Sequence, residues 1–201
     1  MTVEQLMSIE ADRLPVAAES LESHELPFLV DLLSETDDKV RYQVFQLLQE
    51  RSSKHADVYP FWDVFATKMS DTNSYQRSIG LIMIACNAHW DQQDRMDNTI
   101  DTYLGLLDDE KPITVRQCIQ ALEKIIACKP ALNPKIATRL ISLDLSKVRN
   151  TMRKLVLVDI LCILAMIHST WTSNALESYI FDAFNGGLLD PKSKKQIQAL
   201  L

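Results

Sequence analysis

An arginine returns four times along this chain, each time followed by apolar residues at helical spacing. The segments are "VRYQVFQLL" at Arg41, "QRSIGLIMI" at Arg77, "VRQCIQALE" at Arg116 and "MRKLVLVDI" at Arg153, separated by 36, 39 and 37 residues. Three positions after each arginine come Val44, Gly80, Ile119 and Val156. Six positions after come Leu47, Met83, Leu122 and Asp159. Positions spaced by three and four stack on one side of a helix, so each segment specifies one apolar helical face. Asp159 is the exception, and a carboxylate among "LVLVDILCILAMI" needs a partner.

Upstream of each arginine lies a shorter apolar segment: "PFLVDLLSETD", "PFWDVFATKMSD", "TIDTYLGLLDDE" and "PKIATRLISLD". Each closes on an acidic residue: Asp37 or Asp38, Asp71, Asp108 or Asp109, and Asp144. Pro27, Pro60 and Pro134 suit the first turn of a helix, where a missing amide donor costs nothing. The unit is therefore helix, turn, helix, repeated four times over residues 26–168. Residues 1–25 and 169–201 are expected to cap it at the N- and C-terminal ends, giving a single domain. Only four glycines are present, which leaves little material for the turns of a many-stranded protein, so the fold class is all-α.

Self-similarity at this period is the mark of a solenoid, in which each unit buries its apolar face against its neighbours. "DDKVRYQVFQLL" and "ITVRQCIQALEKI", with an aspartate near the turn and Val-Arg opening the second helix, resemble the HEAT-repeat (armadillo-like) family. The second and fourth units depart from it, with Gln76 and Met152 in place of the valine. The resemblance implies a right-handed α–α superhelix of about four helix pairs. It also implies that Arg41, Arg77, Arg116 and Arg153 form a structural ladder with aspartates of their own or the adjoining unit. The guanidinium suits that role because it holds two oxygens at once.

No catalytic constellation emerges. "CNAHWDQQD" gathers His89, Trp90, Asp91 and Asp94, but sequence neighbours on a helix point in different directions. Trp90 reads as packing, and Asp91 and Asp94 as caps of the following helix. His24, His55 and His168 are scattered singly, so no metal site is expected. No glycine-rich phosphate loop exists, and no cofactor is expected. The cysteines Cys86, Cys118, Cys128 and Cys162 lie in apolar helical runs and read as reduced, buried thiols. The longest apolar run, Leu155 to Ile167, is shorter than a membrane span, and the N-terminus lacks the pattern of a secretion signal, so a cytoplasmic location is expected.

Charge is unevenly spread. Residues 1–110 hold eight basic and 21 acidic residues, and residues 111–201 hold 13 and six. Lys135, Arg139, Lys147, Arg149 and Lys154 cluster in the second part and are expected to form a basic patch for an acidic partner or for the acidic half of another copy. The function expected is a non-enzymatic scaffold that binds a protein or peptide. The alternative is a DNA-binding HEAT-like protein resembling bacterial alkyl-base DNA glycosylases, with Trp62–Asp63 and Trp90–Asp91 near the base. A net charge of −6 opposes nucleic-acid binding.

Overall fold

A computed structural model describes all residues, 1–201. The chain is 78% helical, with twelve α-helices and no strands. It packs as two compact units, Met1–Arg95 and Met96–Leu201. No helix is long and apolar enough to cross a membrane.

In the first unit, α1 (Val3–Met7) and α2 (Leu14–Ser20) pack against α4 (Asp38–Lys54), which pairs with α3 (Leu26–Leu32). The pair α5 (Trp62–Lys68) and α6 (Ser74–Asn87) follows, with α6 also against α4. In the second unit, α8 (Pro112–Cys128) follows α7 (Arg95–Gly105), and α10 (Asn150–His168) packs on both α8 and α9 (Asn133–Ile141). A further pair closes this unit. Helix α11 (Asn174–Asn185) lies against α9 and α10, and α12 (Pro191–Gln198) lies against α10.

The arginine frame locates the core. Val44, Ile119 and Val156 are fully buried, as are Leu47, Met83 and Leu122. A fully buried side chain of this kind contributes roughly 1.5–3 kcal/mol of transfer free energy. Gly80 has a separate reason. A Cβ there would meet the Phe65 carbonyl oxygen at 2.6 Å and the Met69 nitrogen at 2.9 Å, so α5 and α6 touch backbone to backbone.

One boundary differs from the expectation, that at Pro60, and the two ends take definite form. Pro27 and Pro134 do sit in the first turns of α3 and α9, but Pro60 lies inside a 3-10 helix, Ala56–Phe61, and α5 begins only at Trp62. The N-terminal segment is broken into α1, a 3-10 turn and α2. The C-terminal segment is a helix pair that includes α12, because Asp190 caps the helix by accepting from the Ser193 amide at 2.7 Å. All four cysteines are free; Cys86 and Cys118 are buried, whereas Cys128 and Cys162 are half-buried.

Candidate interaction face

The turns show what the repeated residues do. Asp37, Asp71, Asp109 and Asp144 each accept the backbone amide two residues on, from Lys39, Asn73, Lys111 and Ser146, at 2.7–2.9 Å. A short carboxylate closing its own turn in this way occupies acceptor capacity that a ladder would use. The arginines reach the same turns mainly through backbone carbonyls. Arg41 donates to the Glu35 carbonyl at 2.6 Å and pairs with Asp38, with its guanidinium 5.6 Å from the Tyr75 ring centre. Arg77 donates to the carbonyls of Asp71 and Thr72, at 2.9 and 3.0 Å. Arg153 donates to those of Val148 and Ser146, at 2.9 and 2.7 Å. Each of these three is the fourth residue of its helix, from which the side chain curls back over the preceding turn.

Arg116 differs because α8 begins one residue earlier relative to its arginine, at Pro112. As the fifth residue, Arg116 is rotated by about 100°. It reaches across to α10, donating to Asp159 through Nε at 2.5 Å and Nη2 at 3.1 Å, while Gln120 adds a third bond to the same carboxylate at 3.0 Å. The Asp159 bonds raise the Arg116 pKa further against burial. Of the four arginines, Arg41 thus pairs with an aspartate of its own turn and Arg116 with one of the adjoining pair, while Arg77 and Arg153 donate to carbonyls of the preceding turn.

Three of the five residues of the basic patch are ion-paired. Lys135 pairs with Asp101 at 2.6 Å, Arg139 with Asp108 at 2.5 Å, and Lys154 with Asp190. Lys147 and Arg149 are exposed and line a cleft of about 580 Å³ that also holds Asp108, Asp109, Glu110 and Asp144. Divided at the structural boundary, the second unit holds 13 basic and 11 acidic residues, and the first holds eight and 16. The strong polarity read at residue 110 therefore softens, because Asp101 and Asp108 belong with Lys135 and Arg139, which they bind.

The "CNAHWDQQD" stretch is structural in its bonds. The Trp90 indole donates to the Ser52 carbonyl at 2.7 Å. Asp91 is buried, accepts from the Tyr59 hydroxyl at 2.8 Å and takes the amides of Gln93 and Arg95 at the start of α7. Burial and this carboxylate push the Tyr59 hydroxyl up to about 12. Asp94, at φ 53°, occupies the left-handed region. Trp62 lies in the core.

Sequence reasoning missed the most regular surface feature. The second helix of each of the four arginine-bearing pairs carries an exposed apolar side chain within its first six residues, while the first helices α3 and α5 also expose Phe28 and Val64. These are Tyr42 (61% exposed) and Tyr75 (66%) in the first unit, and Ile113 (56%) and Leu155 (42%) in the second. They stand one, minus two, minus three and plus two positions from their arginines, which places them within one broad sector of the helix surface. Because the four offsets differ, no single repeat position in the sequence marked them. No protein-family model matches the sequence, and no curated protein matches it significantly.

Proposed function

We propose that the chain is a HEAT-like α-solenoid that acts as a non-enzymatic binding module, presenting the second helices of its pairs to a protein or peptide partner. The repeat reading is supported by the spacing of the bonds that join successive pairs. In the first unit Gln76 to Leu33, Asn87 to Ser52 and Trp90 to Ser52 span 43, 35 and 38 residues. In the second, Gln120 to Asp159 and Asn133 to Thr170 span 39 and 37. Each lies close to one repeat, as expected where a unit contacts only its neighbours.

The observation that carries the functional reading is an exposed large apolar side chain in the outward sector of the second helix of each arginine-bearing pair, two in each unit. Repeated exposure of large apolar groups costs solubility and marks interaction surfaces. Tyrosine is a favoured anchor in such surfaces, combining apolar area with a polar tip. The DNA reading fares worse. Trp62 is buried and the Trp90 indole is bonded to Ser52, so neither ring is placed to stack on a base.

Affinity capture from native cell extract tests the proposal, with Tyr75→Asp and Leu155→Asp as controls. Capture by the wild type that both exposed-site variants lose supports it. Capture unaffected by either variant, or retention of duplex DNA in a low-salt gel shift, contradicts it.

A further inference from the structure

Helix α10 is 19 residues long, about 28 Å, whereas α12 has eight residues and spans about 12 Å. Leu155, Val158, Cys162 and Met166 fall at spacings of three, four and four along α10, forming one stripe, with Asp159 and its bonds to Arg116 and Gln120 along one edge. Leu155 is exposed, and the other three are only half-buried. The resident α12 reaches this region through few anchors. Lys154 pairs with Asp190, Gln196 lies 3.7 Å from the Cys162 sulfur, and Ile197 is the single buried residue of the helix. Leu189 just ahead of it is also buried. The segment is joined to α11 through Gly186 and Gly187, the latter at φ +74°, a conformation that side chains resist. An isolated helix of eight residues has little stability of its own.

We propose that this α10 face is a docking groove for an amphipathic helix of a partner protein, and that α12 is its resident, displaceable occupant. The chemistry of the partner is read from α12: a carboxylate at the start of the helix for Lys154, and an aliphatic side chain seven residues later in the place of Ile197. A helix of four or five turns with further aliphatic residues on that side also covers the stripe α12 leaves half-exposed. It therefore buries more apolar surface than α12 does. This rests on the second helices being the binding face and adds the form of the partner.

The probe is a labelled synthetic peptide of residues 187–201, titrated into the full chain and into its Ile197→Asp variant by fluorescence anisotropy. Binding to Ile197→Asp at least tenfold tighter than to the intact chain supports the groove. Lys154→Glu is the second variant, which leaves the buried position alone. It should bind the Asp190→Lys peptide and refuse the native one. A second peptide, lengthened to about 20 residues with leucines continuing the apolar side, should displace α12 from the intact chain. Trypsin then cleaves faster at Lys192, Lys194 and Lys195 while Cys162 stays protected from thiol reagents.

Equal or absent binding to both chains, or indifference to the charge swap, overturns the groove. Concentration-dependent dimers of the intact chain that exchange α12 overturn the partner assignment in favour of a second copy. If these tests fail while Tyr75→Asp still abolishes capture from extract, the binding-module reading stands and only the α12 inference falls.

Discussion

Arg116 and Asp159 are joined by two hydrogen bonds, at 2.5 and 3.1 Å, that tie the start of α8 to the middle of α10. The Asp159 side chain is 10% exposed, so water offers it few hydrogen bonds in place of this partner. Removing one member leaves the other poorly solvated. Asp159→Ala is expected to cost roughly 2–4 kcal/mol in urea denaturation. Arg116→Lys, which keeps charge but loses the fork, is expected to cost less, about 1–2 kcal/mol. Equal stability of wild type and Asp159→Ala contradicts the bridge.

Two glycines give opposite expectations. Gly80→Ala drives a methyl group into the Phe65 carbonyl and the Met69 nitrogen, and is expected to destabilise by about 1–3 kcal/mol. Gly105→Ala meets nothing within 4 Å at the end of α7 and is expected to stabilise by roughly 0.5–1 kcal/mol. Thermal melts of the two variants separate them by sign.

Acid sensitivity is expected at Asp57. Burial pushes its carboxyl upward, but hydrogen bonds from Arg51 and Ser23 and the Arg51 charge outweigh this and bring it below the ordinary value. Arg51 holds it through two bonds, at 3.1 and 2.6 Å. A folded pKa below the unfolded one means the stabilisation is complete above about pH 4 and is lost as pH falls through the folded value. Asp57→Asn is therefore less stable than wild type near neutrality, and urea midpoints measured down through pH 3 should converge. A gap that stays constant with pH removes the carboxylate from the account.

Lys135, Arg139 and Lys154, part of the cluster expected to drive self-association, are paired within their own unit, and monomeric behaviour is the expected outcome. Light scattering should give one mass between about 20 and 500 mM salt, a range over which screening changes strongly. A mass that falls with added salt contradicts the pairing.

The helix pairs were legible in the sequence because helical periodicity is local. The three- and six-residue offsets from each arginine mark the buried face, and only Asp159 breaks it. Bonding partners were not legible in the same way. Whether an arginine clamps its turn or crosses to the next helix depends on a one-residue shift in helix start, which separates Arg116 from Arg41, Arg77 and Arg153. Lys135, Arg139 and Lys154 find acids 34, 31 and 36 residues away, so a window of neighbouring residues shows a basic cluster where the folded unit shows ion pairs. The candidate residues were missed because single exposed apolar residues are unremarkable in sequence and their offsets from the arginines differ.

The central claim is that the exposed apolar side chains of the second helices, in each unit, contact the partner, and hydrogen–deuterium exchange of the chain with its captured partner tests it most directly. Protection confined to peptides containing Tyr42, Tyr75, Ile113 and Leu155 is the predicted result. Protection centred instead on α3, α5 and α9, with those four sites unchanged, contradicts the claim.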